Sequence, residues 1–264
     1  MFTSRSNGPR SVTKCPPNLW RWAVCLLSST ITLNAQGILW DLVRDFPDLA
    51  AAPTATNPNG VWSYGWKEFD GGAIGVLPIG TFHRSETLVY ESGIIDWQDG
   101  GLGLGFGPAD GGQVWKNVSG EMIHGIQPGE VSVNADYNRT STIRFTAPTT
   151  GNYEISGAFG WGDGGNGTRS VFWNGTELWR AAGAGSFDFT GANQLVLGAG
   201  DTLDFTAWGH PGRYGNTPVL ATVNLVSPVP EPQTYGVMAA LGLAGFGIHR
   251  ARRRPCASGK PPAA

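Results

Sequence analysis

Apolar and polar residues alternate with a period of two in many short stretches of the central part of the chain. Residues 61–66, 141–145 and 153–159 show the alternation most clearly. Since neighbouring side chains of a strand point to opposite faces, this pattern predicts strands with one buried face. Further stretches of the same kind lie at residues 171–173, 177–180, 186–189, 203–208 and 220–226.

The predicted strands are separated by Gly, Asn, Asp and Pro and recur roughly every 8–15 residues, which is typical of an antiparallel β-sandwich. No amphipathic helix of about 12 residues or more is found between residues 36 and 227. Residues 39–46 fit either a helix or a strand, and we favour a strand. The expected fold class is therefore all-β, with a jelly-roll-like antiparallel sandwich over residues 36–227.

Asn174-Gly175 is the strongest hairpin signal, because both central residues of a type I′ turn need a positive φ and Asn and Gly accept it most readily. Residues 147–153 and 197–203 carry Pro, Gly, Asn and Asp between strand patterns and predict two more turns.

The first 35 residues have the order of a secretory signal peptide. Residues 1–21 contain four basic residues and no acidic residue. An apolar stretch at 22–33 follows, and Leu33-Asn34-Ala35 closes the segment. We therefore expect an N-terminal helix that is removed during export by the Sec machinery.

Three features follow one another near the C-terminus: a proline motif, an apolar run and a basic cluster. Residues 235–248 are all apolar or glycine and would span about 21 Å as a helix, less than a hydrocarbon core of about 30 Å. The positive-inside rule keeps the arginines cytoplasmic and everything before them outside. The motif is Val229, Pro230, Glu231 and Pro232, and the cluster is Arg250, Arg252, Arg253 and Arg254.

Together these features, over residues 228–254, resemble the PEP-CTERM sorting signal of Gram-negative bacteria. The resemblance implies processing near Pro-Glu-Pro by an exosortase, a membrane-embedded cysteine transpeptidase, after a transient stay in the inner membrane. It also implies delivery to the cell surface and an association with exopolysaccharide. Residues 255–264 form a polar extension on the cytoplasmic side. The alternative is an ordinary single-span anchor.

The charge of the central domain differs from that of the whole chain. Residues 36–227 hold 9 Lys and Arg against 19 Asp and Glu, a net charge of −10. Such an acidic exported domain is a poor candidate for binding nucleic acid. All three cysteines lie outside residues 36–227, so no disulfide or thiolate chemistry is expected within them.

The order of turns and strands in residues 145–206 resembles jelly-roll modules of the galactose-binding or carbohydrate-binding type. A glycan-binding role would place aromatic and polar side chains on turns, where they are presented to solvent. Two glycine-rich stretches, 161–167 and 208–216, carry such side chains. The candidates are Trp161, Trp208, His210, Arg213 and Tyr214.

Trp62, Tyr64 and Trp66 lie at alternate positions and therefore on one face of a strand. Exposed, they would form a platform for sugar rings; buried, they would be part of the sandwich core, which is the alternative we favour. Gly65 between them predicts close approach of another backbone.

Asp-Gly-Gly occurs at Asp70, Asp99, Asp110 and Asp163. Aspartates in glycine loops can ligate Ca²⁺, and we name Asp163 and Asp110 as candidate ligands. The alternative is that each Asp-Gly is a turn, since the spacing matches no known calcium loop.

Two functions compete for the sandwich. It is either a glycan-binding or exopolysaccharide-binding surface protein, or a structural matrix component that needs only stability and display. No catalytic motif was found, so we expect no enzyme, although the sequence positions of the carboxylates leave a glycosidase open.

Overall fold

The computed structural model describes residues 37–48, 50, 55–68, 81–85, 87–98, 113–135, 139–163, 167–208 and 215–228. The predicted signal peptide, sorting motif, transmembrane helix, arginine cluster and polar extension lie outside these residues. In the part of the chain that is described, no helix has the length and apolar character needed to cross a membrane.

The larger of two antiparallel sheets has nine strands and contains the longest strand, β15 (Gly215–Pro228). Along one side β15 pairs with β9 (Gly151–Phe159). Its other side is shared by β7 (Val131–Ala135) and β1 (Ile38–Asp41). The sheet order is β12–β9–β15–β7–β6–β5–β4, with β13 also beside β9. The remaining strands are β4 (Thr87–Glu91), β5 (Ile94–Gln98), β6 (Gln113–Asn117), β12 (Gly185–Phe189) and β13 (Leu195–Leu197).

The smaller sheet has six strands in the order β11–β10–β14–β8–β2–β3. Its strands are β2 (Trp62–Glu68), β3 (Phe82–Arg84), β8 (Arg139–Thr146), β10 (Thr168–Trp173), β11 (Thr176–Ala182) and β14 (Thr202–Trp208). Every strand pairing in the described residues is antiparallel, so the prediction of an all-β antiparallel sandwich is confirmed.

The two sheets pack face to face through alternate, inward-pointing side chains. Tyr64 of the smaller sheet stacks on Trp97 of the larger sheet, with ring centres 5.8 Å apart. Phe187 and Phe205 meet across the same core at 5.5 Å. This continuous apolar layer is the main source of stability in a domain whose described residues contain no cysteine.

The hairpin predicted at Asn174-Gly175 is confirmed. The two residues join β10 to β11 with φ values of 47° and 82°, and the two strands pair from Trp173–Thr176 onward. The Asn174 side chain adds a bond to the neighbouring strand, because its Oδ1 accepts the Thr202 N–H at 2.8 Å.

The prediction of a strand over residues 39–46 is only half right. The strand β1 ends at Asp41, and a single helical turn, α1 (Leu42–Asp45), follows. Asp41 caps this turn, since its Oδ1 accepts the Arg44 N–H at 3.0 Å. The helical turn buries Leu42 in the core.

Candidate functional site: an exposed tryptophan at one end of the sandwich

Trp161 follows β9 at one end of the sandwich and has 59% of its surface exposed. It is the only exposed tryptophan in the part of the chain that the structure describes. A large aromatic ring that stays in solvent is a candidate for ligand contact, because its exposure adds nothing to the stability of the core.

The indole ring of Trp161 packs against two neighbours, Gly183 and Arg169. Gly183, with a φ of +100°, brings its backbone so close that an added Cβ would lie 2.8 Å from the ring. The guanidinium carbon of Arg169 lies 6.0 Å from the ring centre, and the Arg169 side chain donates a hydrogen bond to the Gly167 carbonyl. The ring therefore has two close neighbours, Gly183 and Arg169, while more than half of its surface faces solvent.

The turn that carries Trp161 is fixed to β15. Gly162, with a φ of +37°, packs so tightly that an added Cβ would lie 1.7 Å from the Asn216 carbonyl oxygen. Asp163 Oδ1 accepts the Asn216 N–H at 2.8 Å. Two contacts therefore fix the turn that carries Trp161. Because this turn is already ordered, less conformational entropy is lost when a ligand binds.

The other tryptophan predicted at this end, Trp208, is placed differently from the expectation. It is the last residue of β14, pairs with Thr168 and is only 6% exposed, so it is packed and not presented from a loop. His210, Arg213 and Tyr214 lie outside the described residues. The strand ends that flank them, at Trp208 and Gly215, lie at the same end of the sandwich as Trp161.

Trp62, Tyr64 and Trp66 do not form an exposed platform. All three are buried, which is the core alternative given above, because β2 is an inner strand of the smaller sheet and turns this face toward the larger one. The Trp66 ring stacks on His83 at 4.2 Å. Gly65 confirms the expected close approach of another backbone: an added Cβ would lie 2.0 Å from the His83 carbonyl oxygen.

Asp163 and Asp110 are the two aspartates predicted to ligate Ca²⁺. Both carboxylate oxygens of Asp163 accept hydrogen bonds from Asn216, Oδ1 from the backbone N–H at 2.8 Å and Oδ2 from Nδ2–H at 3.4 Å. Asp110 lies outside the described residues. Among the residues that the structure describes, no three His, Cys, Asp or Glu side chains are grouped as metal ligands would be. Calcium at these two aspartates stays a prediction.

A cluster of buried side chains that was not predicted from the sequence lies on the outer face of the larger sheet. Asp96 and Gln98 of β5 and Gln113 and Trp115 of β6 point to the same side, with Asp96 directly opposite Trp115. We call these four residues the Asp96 block. Each is at most 4% exposed. Their alternation with apolar residues is that of any half-exposed strand, so only the three-dimensional structure reveals that this face is buried.

Comparison with known proteins bears on the tail and on the fold. Residues 228–254 match the PEP-CTERM protein-sorting motif. A search of curated proteins found no match to the chain. The fold and the motif together define the class: this is a β-sandwich protein that carries a PEP-CTERM sorting motif.

Three solved structures illustrate the structural similarity. A family 35 carbohydrate-binding module from Clostridium thermocellum is 16% identical over 39% of this chain and 84% of its own, with a TM-score of 0.27. A GH26-CBM35 β-(1,4)-mannanase from Podospora anserina is 17% identical over 64% of this chain and 29% of its own, with a TM-score of 0.25.

The third is an exo-β-1,3-galactanase from Phanerochaete chrysosporium with galactose, 18% identical over 35% of this chain and 23% of its own, with a TM-score of 0.24. The chain thus spans less than a third of the length of the two enzymes. Similarity at this level identifies no ligand, because one fold serves many functions.

Proposed function

We propose that this protein is exported, processed at its sorting motif and displayed at the bacterial surface, where its sandwich binds a glycan through Trp161. Support for the first part comes from residues 228–254, which match a sorting motif, and from the basic, then apolar, order of residues 1–35. On this proposal an exosortase acts just outside the inner membrane, and the arginines beyond residue 249 stay in the cytoplasm.

The observation that carries the glycan-binding part is the Trp161 ring, which is 59% exposed and lies against Gly183 and Arg169. Sugar rings have apolar faces of C–H groups that pack on indole rings, while their hydroxyls hydrogen-bond to nearby polar groups. The acidic charge of the domain favours a neutral glycan over an anionic one. Exopolysaccharide at the cell surface is the partner that such a site would meet.

Affinity electrophoresis tests this proposal. The purified exported protein is run through native gels that contain exopolysaccharide from the producing cells, and a glycan array then defines the sugar. We expect wild-type protein to be retarded and Trp161→Ala to lose affinity by about tenfold or more, since aromatic anchors dominate such interfaces. Tyr90→Ala is the matched control, because Tyr90 is an equally exposed ring on the edge strand β4.

Three outcomes are informative. Loss of retardation in Trp161→Ala alone, with an unchanged melting temperature, supports the proposal. Equal retardation of both variants moves the glycan site away from Trp161. No retardation of wild-type protein in any glycan supports the alternative of a structural matrix component.

Mass spectrometry tests the sorting part separately. Intact mass measured on the surface form should correspond to a chain that ends within residues 229–234. A surface form that still ends at Ala264 would show that the tail is an ordinary anchor.

A further inference from the structure

Among the described residues, the Asp96 carboxylate has no ionic partner and accepts no hydrogen bond of normal geometry. Asp96 is 1% exposed, and neither of its carboxylate oxygens accepts a hydrogen bond of normal geometry from the described residues. The indole N–H of Trp115 lies close enough to favour the charged form of Asp96 without forming such a bond. Buried polar groups are almost always paired in folded proteins, so an unpaired carboxylate calls for an explanation.

A second unpaired oxygen lies beside this carboxylate. Gln98 points to the same face two residues along β5, and its buried Oε1 accepts no hydrogen bond from the part of the chain that the structure describes. Same-face neighbours on one strand are about 6.5 Å apart at the backbone, within reach of one shared ion for side chains of this length. The two residues therefore offer three oxygen atoms, and the only donor described near them is the Trp115 indole N–H beside Asp96.

The neighbouring strands supply further oxygen-bearing side chains in fixed orientations. Gln113 of β6 lies next to Gln98, and its Oε1 accepts the Asn134 Nδ2–H at 3.1 Å. No Lys or Arg side chain among the described residues forms an ion pair with the Asp96 block. Lys116 of β6 points to the opposite face, where its Nζ donates to the Val43 carbonyl at 2.7 Å. Asp96 does not belong to any of the ion pairs found in the described residues.

We propose that Asp96 and Gln98 bind a hard divalent cation of the Ca²⁺ type. The four residues of the Asp96 block are too deeply buried for a sugar or another large ligand to reach them. Oxygen atoms of carboxylates and amides are the ligands that Ca²⁺ takes in proteins. An ion fits where a sugar ring does not, because every residue of the block is at most 4% exposed. With one carboxylate, the expected dissociation constant is in the weak range of extracellular calcium modules, roughly 10⁻⁴–10⁻³ M.

The energetics of the carboxyl group agree with this geometry. Burial raises the pKa of Asp96 well above its ordinary value, and the nearby Trp115 N–H only partly opposes this shift. A charged carboxylate is therefore unfavourable here unless a positive charge accompanies it. A bound cation supplies that charge.

Terbium luminescence tests the site directly. Tb³⁺ replaces Ca²⁺ at oxygen sites and emits when a nearby tryptophan is excited, and Trp115 lies opposite Asp96. Chelator-treated, full-length purified protein should show tryptophan-sensitised emission that Ca²⁺ competes away. Millimolar Ca²⁺ should also raise its melting temperature by several degrees. Asp96→Asn, which keeps the size of the side chain, should abolish both effects.

Two further variants make the test specific. Asp163→Asn separates this site from the calcium prediction at the Trp161 turn and should leave both effects intact. Gln98→Glu adds a second carboxylate and should tighten Ca²⁺ binding about tenfold or more, even if it lowers the stability of the cation-free protein.

Several outcomes would overturn the proposal. One is wild-type protein with neither terbium emission nor a Ca²⁺-dependent melting temperature, which would identify Asp96 as a buried neutral acid. Another is emission that survives Asp96→Asn but is lost in Asp163→Asn, which would place calcium at the turn. None of these results depends on whether Trp161 binds a glycan.

Discussion

The Nζ atom of Lys67 lies 2.6 Å from a carboxylate oxygen of Asp204, and both side chains are almost completely buried on the outer face of the smaller sheet. Arg144, on the strand between them, approaches the other carboxylate oxygen at 2.6 Å. One aspartate therefore pairs with two cations from adjacent strands, β2 and β8. Removing it leaves a buried ammonium without a counter-charge.

We expect Asp204→Asn to lower the free energy of unfolding by about 3–5 kcal/mol, because breaking one side of a buried ion pair leaves an uncompensated charge. Urea denaturation measures this loss. The control is Glu177→Gln, which breaks the more exposed pair of Glu177 with Arg180 and should change stability by about 0.5 kcal/mol or less. Similar losses in both variants would contradict the role given to Asp204.

The hairpin at Asn174-Gly175 allows a test of backbone conformation alone. Gly175 has a φ of +82°, and an added Cβ would have no atom within 4 Å. Gly175→Ala should therefore destabilise by about 1–2 kcal/mol, purely because a side chain disfavours positive φ. Gly120→Ala is the matched control, since Gly120 has the same open surroundings without a positive φ. An unchanged melting temperature for Gly175→Ala would mean that the turn relaxes to another type.

Acid titration of Asp201 provides a third prediction. The Asn174 Nδ2–H donates to this carboxylate at 2.8 Å and lowers the pKa of Asp201 below its ordinary value of 3.8, with the Gly198 N–H and the Trp173 indole contributing in the same direction. Because the pKa is lowered in the folded protein, the stabilisation is present above the ordinary value. It is lost as the pH falls through the lower folded value.

Asn174→Ala should thus move the pKa of Asp201 upward toward its ordinary value and weaken the acid-dependent part of the stability. An NMR titration of the Asp201 carboxyl carbon measures the shift. A downward shift of Asp201 would contradict the assigned hydrogen bond.

The position of the sorting motif leads to a fourth prediction, which rests on the proposed function. Strand β15 remains paired up to Pro228, which lies opposite Gly151, and the motif begins at residue 228. Enzymes that cleave chains bind them in extended form on both sides of the cut. The last pairs of β15 must therefore open before the motif can be bound.

A flexible insertion after Pro228, about six Gly and Ser residues long, should increase the processed fraction, because the motif then clears the sheet. Immunoblots of cells that express the exosortase would give the ratio of processed to unprocessed protein. The control places the same insertion after Gly120, in an exposed bend far from the tail in sequence. An unchanged ratio with the first insertion would show that pairing of β15 does not limit processing.

Local features of this protein could be predicted because they depend on few neighbours. The turn at Asn174-Gly175 follows from the φ preferences of two residues. The glycine-rich stretch after Trp161 predicts a turn, and the ring on that turn is exposed. Asp41, by contrast, was missed as a cap, because a single helical turn is too short to give a periodic pattern.

Burial on the outer faces could not be predicted in the same way. Trp208 adjoins a glycine-rich stretch just as Trp161 does, yet it is the last residue of a paired strand and is packed. Asp96 and Lys67 alternate with apolar neighbours as solvent-facing residues do, yet both are buried. Which faces are covered depends on distant parts of the chain.

The sequence by itself determined that this protein is a β-sandwich with a sorting motif, because period-two alternation, turn residues and the proline motif are all local patterns. Only the tertiary structure decided that β1 pairs with β15, although the two strands lie near opposite ends of the described chain. It also decided that Trp62, Tyr64 and Trp66 belong to the core. It further decided that Asp96 is buried and has no ionic partner among the described residues. The reason is physical: alternation reveals that a strand has two different faces, while the packing of other segments decides how much water reaches each one.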